Sequence, residues 1–319
     1  MLRRAPARLA RMKGRLVAAP GAFLIAVAAA LWGTDALLRR PLAQSTEAAT
    51  IVFGEHLVLV LLTLPLIPGA ILAVVRAGPR YVAAAAAIGV GASAIATILF
   101  TQAFVHGDPV TPVVLQKIQP LVAVAGAWFI LRERPRANYG WFLLAGLVGT
   151  WLIAFPSPFD IHVDTALPAL MAIAAAVLWA MGTVLGRLLA TRLRFQHVTT
   201  LRFAFGLPAS AIAVLVVGAP FTTSGGDFAW IAALAIVTGL VALSLYYIGL
   251  RRTPAVIAAL AELTFPVTAA AVGYFAFDAT LDGTQWIGVA VTTTVVLLLT
   301  VTGPRIVAVR REELVPATS

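Results

Sequence analysis

Ten apolar runs, each closed by charged or helix-breaking residues, leave this chain few ways to fold. They cover residues 21–38, 48–74, 81–105, 109–131, 138–156, 166–189, 197–218, 228–250, 254–277 and 284–303. A bilayer core about 30 Å thick needs roughly 20 such residues per helix, so each run predicts a transmembrane helix. The joints carry turn chemistry: Arg39-Arg40-Pro41, Arg76-Ala77-Gly78-Pro79, Gly107-Asp108-Pro109, Arg134-Pro135, Pro156-Ser157-Pro158, Ser224-Gly225-Gly226 and Asp282-Gly283. Only 11% of the residues are charged, against about 25% in a soluble domain, a deficit that fits an outer surface facing lipid.

The charges test the count. With the N-terminus inside and the side alternating at each span, most of the 23 Lys and Arg residues fall in inside segments. Those segments hold the six basics of 1–20, then Arg76 and Arg80, Arg132, Arg134 and Arg136, Arg192 and Arg194, Arg251 and Arg252, and finally Arg305, Arg310 and Arg311. Outside segments hold Arg39 and Arg40, together with acids such as Glu47, Asp108, Asp160 and Asp227. This is the positive-inside pattern of a multi-pass chain with both termini in the cytoplasm. The net charge of +10 is therefore spent on topology, and no nucleic-acid partner is expected. The first run is read as an uncleaved helix rather than a signal peptide. The excess of arginine over lysine suggests a bacterial source, hence an inner membrane.

The chain also repeats itself. Leu31-Trp32-Gly33 in span one matches Leu178-Trp179-Ala180 in span six, Pro120 in span four matches Pro266 in span nine, and Gln116 falls over Glu262. Five spans per copy is odd, so the second copy enters the membrane from the other side. Inverted repeats of this kind recur in secondary transporters, with a site at mid-membrane. The expected architecture is all-α, with a basic tail at 1–20, a first five-helix repeat at 21–156, a second at 166–303 and a C-terminal tail at 304–319.

On Leu31-Trp32-Gly33, its Leu178-Trp179-Ala180 echo, Pro120 with Leu131-Arg132-Glu133, and the Gly140–Gly149 stretch of span five, the chain resembles the drug/metabolite transporter superfamily, specifically the EamA-like family. The resemblance covers about residues 21–303. It implies a ten-helix fold that moves small metabolites or drug-like solutes, without specifying which. Two positions depart from the family pattern. Phe53-Gly54-Glu55-His56 stands in span two, where an arginine is frequent, and Arg202 in span seven fits that pattern better. Glu133 has only a shifted counterpart, Asp278.

Ionisable groups within spans default to function, because each costs about 2.5–3.5 kcal/mol to insert. Lys117 and Glu262 each lie some eight residues into their spans, about 12 Å deep from opposite faces. Lys117 suits an anionic group, and Glu262 a cationic group or a proton; a structural ion pair between them explains both equally well. Gln116 and Gln119 sit beside Pro120, where a freed carbonyl offers a ligand contact, with interhelical hydrogen bonding as the alternative. Trp32, Trp179, Tyr246 and Tyr247 are candidate walls of a substrate cavity. Glu55 and His56 form a candidate proton relay, or structural glue. Arg187 and Arg202, near inner span ends, are expected to snorkel.

No rival chemistry is marked. The four histidines are scattered, no His-Glu-x-x-His or Gly-x-x-x-x-Gly-Lys occurs, and there is no cysteine. An enzyme, a metal site and a cofactor are therefore not expected, although a serine nucleophile, a channel or a structural membrane component stays open. The expected partners are a small solute and lipid; a homodimer is neither required nor excluded.

Overall fold

The computed structural model describes residues 21–106, 115–135, 138–155 and 166–302, the side chains of 104–106, 117 and 301–302 excepted. Among these residues every regular element is helical, as a bilayer demands of a chain that does not close a barrel. Eight helices are long and apolar enough to cross a membrane: α1 (Gly21–Leu42), α2 (Ala48–Ala77), α3 (Pro79–Ala103), α6 (Ala166–Ala190), α7 (Phe195–Val217), α8 (Gly225–Leu250), α9 (Ala255–Ala276) and α10 (Gly283–Thr300). Two shorter apolar helices, α4 (Gln119–Leu131) and α5 (Tyr139–Ala154), lie between α3 and α6. The expected tails at 1–20 and 304–319, and the first residues of the expected fourth span, lie outside the described residues.

Local chemistry sets the ends. Gly78, at φ 115°, turns α2 into α3 in a conformation that L side chains avoid, and Pro79 opens α3 where a missing N–H costs nothing. Gly218, at φ 69°, closes α7. The Ser224 side chain accepts from the Asp227 N–H at 3.1 Å and caps α8. α1 runs four residues beyond its expected end because Arg39 finds acids inside the bundle instead of staying in an outer loop.

Two kinds of irregularity interrupt the spans. α9 breaks at Glu262–Leu263, and a 3-10 turn at Gln116–Ile118 leads into α4. Both breaks lie four residues before a proline, Pro266 and Pro120, whose ring lacks the N–H that would bond the carbonyl at that spacing. The preceding amide takes over in each: Phe265 N–H donates to the Glu262 carbonyl, and Gln119 N–H to that of Gln116. The carbonyl expected to be freed by Pro120 is thus already engaged. The second irregularity is the π-helical turn, at Ile88–Ile95 in α3, Ala127–Leu131 in α4 and Ala235–Val241 in α8. Such turns widen the helix and commonly accompany function.

The helices pack in pairs that exchange when the first five labels are swapped for the last five. α1 meets α8 as α3 meets α6, α1 meets α9 as α4 meets α6, and α2 meets α8 as α3 meets α7. α2·α7, α4·α9 and α5·α10 pair with themselves under the same swap. Small residues permit the close crossings, since lipid supplies no hydrophobic drive between helices. Large apolar side chains point outward, with Trp141 74% and Phe275 79% exposed, an arrangement a water-soluble protein would not tolerate.

The tightest test of this packing is the α5·α10 crossing. A Cβ on Gly149 would lie 3.0 Å from the Thr292 nitrogen, and one on Gly288 2.6 Å from the Gly149 oxygen. Gly149→Leu and Gly288→Leu should each lower the thermal midpoint in detergent by several degrees, on the scale of about 1–3 kcal/mol for overpacking. Gly140→Ala, which meets nothing within 4 Å, should leave it unchanged.

Candidate functional site

The break in α9 places Glu262 at the junction of two helix segments, where three neighbouring helices supply hydrogen-bond donors. Its Oε2 accepts from Gln119 Nε2 of α4 at 2.9 Å. Its Oε1 accepts from Thr183 Oγ1 of α6 at 3.0 Å and from Tyr246 Oη of α8 at 2.7 Å. Tyr246 Oη also lies 2.9 Å from Thr183 Oγ1, so two hydroxyl protons serve three oxygen–oxygen edges. Ionised, the carboxylate accepts from both hydroxyls. Protonated, it can donate to Tyr246, which then donates to Thr183. Both charge states are satisfied by rotating hydroxyls, with no heavy atom displaced. Among the described residues no cation lies within ion-pair distance of Glu262.

Two aromatic pairs accompany this node. Trp32 of α1 and Tyr246 of α8 have ring centroids 5.1 Å apart, and Phe100 of α3 and Trp179 of α6 lie at 4.9 Å. The first pair is tilted and the second edge-on, both favourable geometries for aromatic rings. Trp32 and Trp179 were matched in the sequence, and Phe100 and Tyr246 stand at nearly the same offset. Phe100 was not picked out from sequence, because a phenylalanine in an apolar run carries no signal of its own. Trp32 is held by its indole N–H, which donates to the Thr238 carbonyl in the π turn of α8 at 3.0 Å.

Trp32, Trp179, Gln116, Gln119 and Glu262 all keep partial exposure. Gln116 Oε1 is buried with no hydrogen-bond partner among the described residues, which leaves an acceptor for an incoming N–H. The backbone of Lys117 lies in the 3-10 turn before α4; its side chain, and with it the suggested pairing with Glu262, falls outside the described residues. Tyr246 is 3% and Tyr247 0% exposed. Tyr247 therefore offers no free surface, and its hydroxyl accepts from Arg202 Nη1 at 3.3 Å.

Glu55 and His56 go different ways. Glu55 meets Arg39 Nη1 at 3.0 Å, while Arg39 Nε and Asp35 Oδ2 are 2.6 Å apart. Asp35 is thus one arm of a largely enclosed three-member charge cluster. His56 Nδ1 lies 2.7 Å from the Val52 carbonyl and Nε2 2.9 Å from Ser93 Oγ. The two side chains have separate partners, so no direct hydrogen bond links the suggested relay.

Neither Arg187 nor Arg202 snorkels. Arg187 Nε is 3.4 Å from Glu133 Oε1, and its Nη1 donates to the carbonyls of Leu250 and Arg251 at 2.7 and 2.6 Å. Glu133 Oε2 accepts from the first amide of α9, Ala255 N–H, at 2.7 Å. One ion pair thus ties the end of α4 to α6, α8 and α9. Burial pushes the Glu133 carboxyl above its usual range, and Arg187 pulls it back. Sequence could not find this pair, because its members are 54 residues apart.

A family model described as the EamA-like transporter family matches residues 19–155 and again 166–301. The riboflavin transporter ImpX of Fusobacterium nucleatum is 28% identical over 304 residues, covering 88% of this chain and 96% of that protein. A solved structure described only as a crystal structure of a protein shares the fold at a TM-score of 0.69 and 21% identity, over 88% of this chain and 97% of that one. This chain belongs to the EamA-like transporter family and is a multi-pass membrane transporter.

Proposed function

We propose that this protein carries a small, flat, nitrogen-bearing aromatic solute across a bacterial plasma membrane by alternating access, with Glu262 exchanging the driving proton. The architecture behind this reading is two inverted five-helix repeats, 21–156 and 166–303, with both termini cytoplasmic. It is supported by the exchange-paired helix contacts, the matched proline breaks and the twofold match of the family model. Two such halves can rock about a shared centre, opening it to one side and then the other.

The observation that carries the reading is the Glu262 node: a carboxylate at a helix break, held by three neutral donors from three helices. That environment serves ionised and protonated carboxyl alike, which a proton carrier needs and a structural ion pair does not. Trp32 and Trp179 suit the faces of a planar ring, while Gln116 and Gln119 suit its polar edge. Lys117 is retained as a candidate at the same level, and Glu55 and His56 as candidate proton-handling groups. Tyr246 acts both as a wall and as a ligand of Glu262, and Tyr247 acts behind it. The relative named for riboflavin, a flat heteroaromatic, agrees in solute shape.

Reconstituted vesicles with a panel of radiolabelled heteroaromatic solutes should show accumulation driven by an imposed pH gradient. Glu262→Gln should reduce gradient-driven accumulation about tenfold or more, equivalent to about 1.4 kcal/mol, while exchange of solute for solute persists. Undiminished gradient-driven uptake in that variant would remove Glu262 from coupling. The inner contact offers a second check, because the chain has no native cysteine. Joining Glu133→Cys to Arg187→Cys with a reversible thiol linker should stop flux, and a reductant should restore it. Full flux through the linked protein would show that this contact does not open during transport.

A further inference from the structure

Arg202 is a cation within the bundle that the Glu262 node leaves unexplained. It sits on α7, and its guanidinium reaches α3 and α8. Nε–H donates to Ser93 Oγ at 3.2 Å, Nη1–H to Tyr247 Oη at 3.3 Å, and Nη2–H to the Ala92 carbonyl at 3.1 Å. A guanidinium has five N–H donors. Three are engaged, so one on each terminal nitrogen has no protein acceptor among the described residues. Arg39 and Arg187 each hold a carboxylate; among the described residues Arg202 holds none. An arginine retained inside a membrane without its own counter-ion is costly and marks a functional position.

The side chain is also pre-set. The Val52 carbonyl can only accept, so His56 Nδ1 carries the proton. Nε2 of the neutral ring then accepts from Ser93 O–H, leaving the serine oxygen to accept from Arg202. His56 thus positions Arg202 through Ser93. Arg202 as a residue is half-buried, and its surroundings adjoin the Glu262 node. A Cβ on Gly182, beside Thr183, would lie 2.7 Å from the Ala92 Cβ, and one on Gly186 2.9 Å from the Tyr247 ring. The Tyr247 ring stands 5.5 Å from that of Tyr246.

Resting on the transport reading above, we infer that Arg202 is an anion-recognising group of the solute site, and that the solute carries a single carboxylate beside its ring. With no carboxylate in contact among the described residues, the guanidinium offers its two free N–H donors to one negative charge. A phosphate ester, with up to two charges, would meet the Glu262 carboxylate as well as Arg202 and so fits less well.

Binding to the purified full-length protein in detergent tests this apart from transport. Benzoate, nicotinate and indole-3-acetate are each titrated against the corresponding amide, with tryptophan fluorescence and calorimetry as readouts. At least one acid should bind about tenfold tighter than its amide. Arg202→Gln should erase that preference while amide affinity persists. Arg202→Lys, which keeps the charge but loses the fork, should retain only part of it. Ser93→Ala, which frees Nε, should also reduce it, and this milder change covers the case in which Arg202→Gln does not fold. Equal binding of every acid and its amide by the wild type, or an undiminished preference in the Arg202 or Ser93 variants, would overturn the inference. If amides still move through vesicles in that event, the transport reading survives; if no solute moves, it falls as well.

Discussion

Within a bilayer no water stands by to satisfy a stray polar group, so every departure from regular helix must bring its own partner. That constraint organises this molecule. Where Pro120 and Pro266 deprive a carbonyl of its usual amide, the amide one residue earlier closes a tighter turn. Where α3 and α8 widen into π turns, the carbonyls of Ala92 and Thr238 are taken by Arg202 and Trp32. The carboxylates of Glu55, Glu133 and Glu262 all have partners from other helices. Each irregularity is therefore a fixed point at which several helices are joined, and the candidate site is built from such points.

Much of this was legible in the residues. Run length and breakers located every described helix but the fourth to within a few positions, because hydrophobic thickness is a one-dimensional quantity that a sequence states directly. Trp32, Gln119, Tyr246 and Glu262 were identifiable because a polar or large aromatic residue deep in an apolar run has few ordinary reasons to be there. What escaped was pairing. Arg39, Arg187 and Arg202 lie near span ends, where a long side chain can reach water, and only tertiary structure shows that each turns inward instead. Phe100 was invisible for the opposite reason, since its side chain matches its surroundings. The π turns follow from packing between helices and left no local signature.

The charges inside the bundle divide by how they are held. Arg39 and Arg187 are neutralised in contact by carboxylates, and they join segments of chain. Glu262 and Arg202 are held by hydroxyls, an amide and a carbonyl, all neutral, and neither has a contact counter-ion among the described residues. The first kind of contact fixes structure. The second leaves charge to be answered by something that arrives, which is why the solute reading attaches to these two residues.

The Ala92 and Thr238 carbonyls occupy the same offset in the two halves of the chain, yet one receives a guanidinium and the other an indole. On the proposed two-repeat architecture one notch occurs twice, and a second copy is free to change employment while the first keeps the scaffold intact. Divergence of this kind would let a descendant acquire a new cargo by altering what fills a notch, leaving the fold that surrounds it untouched.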